Sequence, residues 1–319
     1  MTTLTPERPL LDTRSSRSDV GRRRPRYPLL AACRPHQWVK NLLVYAVAFA
    51  SGHLFEPITF LAATVAAVVF TAASSATYLI NDAGDVEADR RHPTKRFRPI
   101  AAGDLAVSRA HVAAASLLVA AMVGAASLGP MTLALIVIYL VTTTTYSRWL
   151  KHIALVDAIT VAAGFVLRTA AGGTATGLTI TPIFLTVSAA AALFIVIGKR
   201  LGEVIELGPD AAASHRKVLA WYTPQRCRRL LGASLAATLV AFTVWALGAS
   251  EPAGPSALSS GSVSLASLSI IPFTLAAARS WRLIGRGVGA DPLHLLTRDR
   301  LLPLCGLVTF AIVGAAIYG

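Results

Sequence analysis

The chain has 319 residues, of which 54% are hydrophobic and 14% charged, and its mean hydropathy is +0.59. This composition excludes a soluble globular domain, because apolar stretches long enough to cross a bilayer recur along the chain. The formal net charge of +14 favours phosphates and anionic membrane lipids as partners, and we predict no nucleic-acid partner because no soluble module is present to hold one.

The N-terminal segment is basic and lacks the apolar core of a signal peptide. It ends in the run GRRRPR, which suits contact with an anionic lipid surface. We therefore predict a disordered basic cytoplasmic tail over residues 1–27 and one membrane domain over residues 28–319.

The rest of the chain alternates apolar stretches with short polar connections. This pattern predicts an all-α polytopic membrane protein whose helices surround a cavity that opens to the cytoplasmic side and is covered by cytoplasmic cap loops, 81–106 and 214–223. The nine predicted spans are 39–55, 58–80, 107–128, 131–146, 153–171, 179–197, 230–249, 262–279 and 301–318.

The distribution of basic residues predicts the orientation. With the N-terminus inside, Arg168 is the only one of the thirty Lys and Arg residues that lies away from the cytoplasmic side. We interpret Arg168 as structural or lipid-contacting. The bias predicts a multi-pass membrane protein with a cytoplasmic N-terminus.

The end of the second predicted span carries the sequence NDAGDVEAD. Asn81, Asp85 and Asp89 are spaced four apart, so on a continuing helix they form one stripe, with Asp82 beside it. Stacked like charges at a membrane edge favour a cation, and hard oxygen ligands favour Mg²⁺. The sequence therefore predicts a metal site made of Asn81, Asp82, Asp85 and Asp89. The alternative is a solvated loop in which these acids pair with the following bases.

Several polar residues at the predicted cytoplasmic ends are placed to meet phosphate groups. Membrane anchoring, the positive-inside bias and helix capping are the alternatives for the bases among them. The candidates for substrate binding, which include the amide of Asn81, are Lys40, Asn81, Arg98, Tyr146, Lys151, Lys199, Arg200, Glu203 and Arg216.

Asp157 lies inside the fifth predicted span. A carboxylate at that depth is costly and usually faces a cavity or a partner, so Asp157 joins Asp82, Asp85 and Asp89 as a candidate catalytic residue. Its role stays open among orienting a cation such as Lys151, holding hydroxyl groups of a substrate and completing a metal shell.

These features resemble the UbiA-type membrane prenyltransferase superfamily, whose N-x-x-x-D-x-x-x-D motif matches NDAGDVEAD. Within the superfamily, four further stretches resemble the decaprenyl-phosphate phosphoribosyltransferase subgroup: RPHQWVKN (34–41), RPIAAG (98–103), YSRWLK (146–151) and GKRLGE (198–203). The resemblance implies Mg²⁺-dependent transfer of 5-phosphoribose from phosphoribosyl diphosphate (PRPP) to a polyprenyl (decaprenyl) phosphate, an early step toward the arabinose donor of actinobacterial cell walls. It also implies a location in the bacterial inner (plasma) membrane.

One departure from the wider superfamily supports this subgroup. Aromatic prenyltransferases carry a second Asp-rich motif after the sixth span, where this chain has GKRLGEVIELGPD with Lys199 and Arg200 first. Two cations there suit a further phosphate, such as the 5-phosphate of PRPP or the phosphate of the acceptor.

Two other functions are compatible with parts of this pattern. A prenyl diphosphate transferase acting on an aromatic or other apolar acceptor would use the same Mg²⁺ site but predicts a second dense acidic cluster. An anion transporter predicts inverted repeats with charge near the bilayer midplane, whereas the charge here collects at one face. The sequence leaves open whether the chain forms a homo-oligomer.

Overall fold

The computed structural model describes residues 25–208, 217–248, 265–287 and 299–319, and every regular element in these ranges is helical. The α-helices are α1 (Pro28–Ala32), α2 (Ala46–Ala50), α3 (Pro57–Gly84), α4 (Val86–Arg91), α5 (Val107–Ser127), α6 (Pro130–Arg148), α7 (Val156–Thr176), α8 (Pro182–Leu207), α9 (Pro224–Gly248), α10 (Leu265–Leu268), α11 (Ile270–Gly285) and α12 (Leu301–Tyr318). Four 3₁₀ segments join them: Pro35–Tyr45, Lys95–Phe97, Leu150–His152 and Lys217–Trp221.

Seven of the described helices, α3, α5 to α9 and α12, are long and apolar enough to cross a membrane. They confirm a multi-pass integral membrane protein of the all-α class. The predicted spans 39–55 and 262–279 are not single long helices in the structure. Each is divided between shorter helical pieces in the described residues. The full count of nine spans therefore stays a prediction, as does the tail over residues 1–27, of which residues 1–24 lie outside the described ranges.

The first predicted span is mostly a 3₁₀ segment with a period of three. Trp38, Asn41 and Val44 share one face because side chains three apart eclipse in this helix type. Trp38 Nε1 donates to Ser75 Oγ at 3.2 Å, Asn41 Nδ2 donates to Thr71 Oγ1 at 2.9 Å, and Val44 is fully buried. The segment thus lies along α3 and bonds to two successive turns of it.

Small residues allow close packing in two places. Buried alanines of α5, which include Ala110 and Ala121, pack in hydrophobic clusters with α3, an arrangement common between membrane helices. In α7, a Cβ atom at Gly172 would lie 2.0 Å from the carbonyl oxygen of Val44. Only glycine lets α7 approach the backbone of the first segment so closely.

The buried Arg168 ties three elements together. Its Nε donates to Asn41 Oδ1 at 2.8 Å and its Nη2 to Tyr139 Oη at 3.0 Å, while its Nη1 donates to the carbonyl of Gly164 at 2.6 Å. The guanidinium carbon also lies 4.8 Å from the centroid of the Tyr139 ring, within cation–π range. These contacts support the structural interpretation of Arg168 over the lipid-contacting one.

Several of the polar residues that the sequence singles out lie at one end of the bundle. Asn81 at the end of α3 bonds to Ser147 at the end of α6, and Asp157 at the start of α7 pairs with Arg200 near the end of α8. We call this end of the bundle the polar end. The segment after α4 also packs here, since Ile100 and Leu105 are buried against α3 and α5.

Candidate active site

The acidic segment keeps a helical register across the end of α3. The N–H of Asp85 donates to the carbonyl of Asn81 at 2.9 Å, and the N–H of Asp89 donates to that of Asp85 at 2.8 Å. Asp85 itself leaves the helical conformation, with φ −94° and ψ 8°, so α3 ends and α4 begins around it. Asp82 and Asp89 are buried, whereas Asp85 is exposed.

Two arginines neutralise the buried carboxylates. Arg98 Nη1 donates to Asp89 Oδ2 at 2.7 Å and to Asp82 Oδ1 at 3.0 Å, and Arg34 Nη2 donates to the same Asp82 oxygen at 2.7 Å. The carboxylate side chains are 4% exposed and the two arginine side chains 27% and 28%. The solvated-loop alternative includes the pairing of Arg98 with Asp82 and Asp89. Both of these carboxylates are buried, however, rather than solvated.

Arg34 adopts a left-handed backbone conformation, with φ 56° and ψ 64°, directly before the first 3₁₀ segment. This conformation costs a residue with a side chain about 1–2 kcal/mol. The guanidinium carbon lies 4.8 Å from the centroid of the Tyr78 ring, and with the Asp82 ion pair this contact holds the arginine in place. Such strain is concentrated at functional sites, which supports a role for Arg34.

The donors of the acidic segment fit Mg²⁺. Two buried carboxylates converge on one cationic atom, Arg98 Nη1, so this position attracts positive charge. The amide nitrogen of Asn81 is held by Ser147, which orients its oxygen as the acceptor end. Among the described residues, no group of three His, Cys, Asp or Glu forms a ready metal cage. The donor set suits an ion completed by water and substrate phosphates, as is usual for Mg²⁺.

A second network surrounds Asp157, which is completely buried. Its Oδ2 lies 3.0 Å from Arg200 Nε, and its Oδ1 accepts a hydrogen bond from the Tyr222 hydroxyl. Arg200 Nη1 in turn donates to Glu203 Oε2 at 2.7 Å. The Asp157 and Arg200 atoms are close but poorly aligned for a hydrogen bond, so the contact is an ion pair. We call Asp157, Arg200, Glu203 and Tyr222 the Asp157 network.

Tyr222 also fixes the start of α7. Its hydroxyl oxygen accepts a hydrogen bond from the N–H of Leu155 at 3.1 Å, and Leu155 has the positive φ of 64°. Burial and the hydrogen bond to Asp157 both raise the pKa of the Tyr222 hydroxyl above its ordinary value. Tyr222 therefore keeps its proton at neutral pH and remains the donor to Asp157.

The remaining predicted residues lie around these two groups. Lys199 is exposed on α8, and its Nζ lies 3.9 Å from Glu203 Oε1. Tyr146 at the end of α6 is near enough to Arg200 to interact electrostatically with it. Lys40 and Lys151 are half-buried in the 3₁₀ segments Pro35–Tyr45 and Leu150–His152. Arg216 lies outside the described residues.

A large apolar cavity of about 920 Å³ lies between the first segment and helices α8, α9, α11 and α12. It runs from Val39 and Leu302, near the polar end, toward Leu54 and Trp245 at the opposite end. Its lining is dominated by aliphatic and aromatic side chains, with aromatic stacking between Phe242 and Phe273 at 3.9 Å between ring centroids. The cavity suits a long hydrocarbon chain.

Two residues of these networks were not predicted. Arg34 begins the motif RPHQWVKN, but its ion pair with Asp82 joins positions 48 residues apart. Tyr222 belongs to the stretch 214–223 that was predicted as part of a cap, and its bond to Asp157 joins positions 65 residues apart. The only signal in the sequence was that both residues lie in stretches singled out for other reasons, the motif RPHQWVKN and the predicted cap loop 214–223.

Comparison with known proteins assigns the family. The sequence matches the model of the UbiA prenyltransferase family over residues 42–294. The chain belongs to the UbiA prenyltransferase family.

Several curated relatives of this UbiA chain share one name. It is 38% identical over 293 residues to decaprenyl-phosphate phosphoribosyltransferase of Mycobacterium tuberculosis, covering 91% of this chain and 94% of the relative. It is 37% identical over 298 residues to the enzyme of the same name from Corynebacterium glutamicum, covering 91% and 86% of the two chains. These relatives confirm the predicted subgroup resemblance and identify the chain as a transferase.

Solved structures share the UbiA fold. A UbiA homolog from Archaeoglobus fulgidus, bound to GPP and Mg²⁺, has a TM-score of 0.66 at 20% identity and covers 92% of this chain and 99% of its own. A UbiA homolog from Aeropyrum pernix K1, in the apo state, has a TM-score of 0.61 at 18% identity and covers 88% of this chain and 96% of its own. At these identities the likeness confirms the fold.

Proposed function

We propose that this UbiA transferase moves 5-phosphoribose from PRPP to a polyprenyl (decaprenyl) phosphate and releases diphosphate. The observation that carries the proposal is the identity of 37–38% to enzymes named for this activity, over 91% of the chain. In a cell, the product would supply the precursor of the arabinose donor for cell-wall arabinan.

The acidic segment is the proposed site of the PRPP diphosphate. Asn81, Asp82, Asp85 and Asp89 would hold Mg²⁺, which when bound neutralises charge on the departing diphosphate. Support comes from the pairing of Asp82 and Asp89 with a single nitrogen of Arg98, because carboxylates so placed require a cation. Arg98, Lys40 and Lys151 are the proposed contacts of the phosphate oxygens, through charge-assisted hydrogen bonds.

The Asp157 network is the proposed site of the phosphoribosyl group. Lys199 is exposed beside it and is the proposed contact of the 5-phosphate, together with Arg216. Arg200 already faces two carboxylates, so we assign it mainly to holding Asp157 and Glu203 in place. Asp157 would accept hydrogen bonds from the ribose hydroxyls, and Tyr146 would contact a phosphate between the two groups.

The proposed reaction needs no covalent intermediate with the protein. The bond between C1 of the ribose and the diphosphate oxygen breaks, and an oxygen of the lipid phosphate forms the new bond to C1. The acceptor phosphate is already an anion, so no side chain has to remove a proton from it. The contribution of the protein is to position the two substrates and to match the changing charge.

The apolar cavity is the proposed path of the polyprenyl chain. It begins at Val39, beside Lys40, and its lining continues to Leu54 and Trp245. A phosphate near Lys40 would thus have its hydrocarbon chain in the cavity. We place the polar end at the cytoplasmic face of the plasma membrane, because the connections at this end contain the Lys and Arg residues.

A direct assay with the purified full-length protein tests the proposal. Radiolabelled PRPP and decaprenyl phosphate are incubated in detergent with Mg²⁺ or with EDTA, and the label in the organic phase is measured together with released diphosphate. We expect one diphosphate for each labelled lipid, and loss of both with EDTA. A parallel reaction replaces PRPP by geranylgeranyl diphosphate and decaprenyl phosphate by an aromatic acid.

The two reactions separate the functions that the sequence left open. Transfer from PRPP alone supports the proposal. Consumption of the prenyl diphosphate with no transfer from PRPP would replace it by the aromatic prenyltransferase function. Inactivity with both donors would also reject the proposal, provided that a thermal unfolding transition shows the protein to be folded.

A further inference from the structure

A second cavity, of about 470 Å³, lies at the polar end between α8, α9 and α11. Arg228 of α9 and Arg282 and Arg286 at the end of α11 converge on it. The remaining lining includes Trp281, Leu201 and Leu231. We call this cavity the arginine pocket. Leu201 follows Arg200 directly in α8, so the pocket and the Asp157 network lie against different faces of one helical turn.

The three arginines of the pocket lack carboxylate partners within the described part of the chain, and all three are exposed. The neighbouring Arg279 differs, since its guanidinium donates twice to Asp299 Oδ2, at 2.7 and 2.9 Å. Arg282 and Arg286 are four residues apart, a spacing at which like charges repel. The convergence of these charges on one concave surface therefore favours an anion in the pocket.

Helix capping explains only part of this arrangement. Cations at the end of α11 interact favourably with the helix dipole, which accounts for Arg282 and Arg286. Arg228, however, is the fifth residue of α9, where the dipole disfavours a cation. Its position beside the other two arginines is better explained by a shared ligand.

The indole of Trp281 gives the pocket an apolar wall. It packs against α9, where a Cβ atom at Gly232 would lie 3.4 Å from the Trp281 ring. Tryptophan is enriched at the membrane surface, where one side of a site meets lipid and the other meets water. Arginine forks match the oxygens of a phosphate group, and basic pockets between membrane helices suit lipid head groups.

We infer that the arginine pocket binds a phosphate group, separate from the proposed PRPP and acceptor sites. The same chemistry is offered by the head group of an anionic phospholipid and by a water-soluble phosphate. Binding in either form would place negative charge between α9 and α11 and brace them against the turn of α8 that carries Arg200.

Binding to the full-length protein in detergent tests the inference. Native mass spectrometry measures the apparent affinity for phosphatidylglycerol and for phosphatidylcholine, and thermal unfolding measures the stabilisation by inorganic phosphate. The test variant is R282Q/R286Q. The matched control is R229Q, which removes an exposed arginine next to Arg228 that does not line the pocket.

If the phosphate group belongs to a lipid, we expect wild-type protein and R229Q to bind phosphatidylglycerol more tightly than phosphatidylcholine. R282Q/R286Q should bind phosphatidylglycerol at least about tenfold more weakly, which is the loss for one charge-assisted hydrogen bond. If the source is soluble, inorganic phosphate stabilises wild type and R229Q, and R282Q/R286Q loses this effect. The inference is rejected if neither ligand distinguishes R282Q/R286Q from R229Q. If R282Q/R286Q does not fold, the single variant R228Q replaces it in the same measurements. Folded R228Q that binds both ligands as wild type does would also reject the inference.

Discussion

Arg98 donates a hydrogen bond of 2.7 Å to Asp89 from the same nitrogen that lies 3.0 Å from Asp82. One guanidinium nitrogen therefore connects the end of α3, the helix α4 and the segment that leads to α5. The shape of the acidic segment depends on this contact, because two buried carboxylates would otherwise repel one another. Arg98 is also a proposed contact of the substrate phosphates, so we expect its substitution to affect both stability and substrate binding.

The first prediction concerns this ion pair. Removing one partner of a buried pair costs about 3–5 kcal/mol. Because the Arg98 side chain is 28% exposed, we expect Arg98→Gln to lower the free energy of unfolding by less, about 2–3 kcal/mol. Thermal unfolding in detergent measures the change.

The double variant Arg98→Gln with Asp89→Asn should recover part of this stability, because it removes an unpaired buried charge. Arg90→Gln is the matched control. Arg90 pairs with the exposed Glu87, and its loss should cost about 1 kcal/mol or less. Equal losses of unfolding free energy in Arg98→Gln and Arg90→Gln would contradict the stabilising role of the buried ion pairs of Arg98.

The second prediction concerns the exposed acid of the motif. Asp85→Asn should leave the unfolding temperature nearly unchanged, since Asp85 is exposed. It should lower turnover by about a hundredfold or more, because even changes to residues around the ligands of a metal site cost about 10–100-fold in activity. Glu87→Gln, which removes an exposed acid outside the stripe, should retain activity. Initial rates across a Mg²⁺ titration measure both. An Asp85→Asn enzyme with wild-type rates at limiting Mg²⁺ would remove Asp85 from the metal site.

The third prediction concerns the donor phosphate. Lys199→Ala should raise the KM for PRPP by roughly tenfold to a hundredfold, the loss for one charge-assisted hydrogen bond, with little change in the KM for decaprenyl phosphate. Lys95→Ala, an exposed lysine of the segment after α4, is the control. A rise confined to the KM of the lipid would assign Lys199 to the acceptor instead.

The fourth prediction concerns the apolar cavity. Gly306 lines it, and no atom lies within 4 Å of a Cβ placed there, so a side chain can begin at this position without a clash. We expect leucine at this position to fill part of the cavity. Gly306→Leu should raise the KM for decaprenyl phosphate and leave the KM for PRPP unchanged. Val308→Leu, on an exposed position of the same helix, is the control. An unchanged KM for a long acceptor in Gly306→Leu would place the hydrocarbon chain elsewhere.

The fifth prediction concerns orientation. Thr94→Cys should resist an impermeant thiol reagent in intact cells, whereas Ser256→Cys should react, because the positive-inside bias places the two connections on opposite sides. The native cysteines Cys33, Cys227 and Cys305 are buried and give little background. Permeabilised cells provide the labelling control. Reaction of Thr94→Cys from outside would reverse the proposed topology.

The long helices and the acidic motif could be predicted from sequence because each depends on local patterns. Continuous apolar stretches identify α3 and α9, and spacings of four residues place Asn81, Asp85 and Asp89 in one helical register. The first span could not be predicted as a 3₁₀ segment, since its period of three depends on partners in α3 such as Thr71.

Contacts between residues far apart in the chain could not be predicted from the sequence either. The bond from Tyr222 to Asp157 and the ion pair from Arg34 to Asp82 arise from how the helices assemble, and no spacing in one sequence encodes them. The sequence left the partner of Asp157 open, and the structure provides Arg200 and Tyr222. Sequence patterns identify which residues are costly in a membrane, whereas tertiary packing decides which residue compensates each of them.

The apolar cavity that begins beside Lys40 has a kinetic consequence for an enzyme of this kind. An acceptor whose hydrocarbon chain never leaves the bilayer reaches the protein by lateral diffusion in two dimensions. Its effective concentration is then its mole fraction among the surrounding lipids or detergent, and not its amount per litre. Added inert detergent should slow the reaction at constant total acceptor, whereas the water-soluble donor should show no such surface dilution.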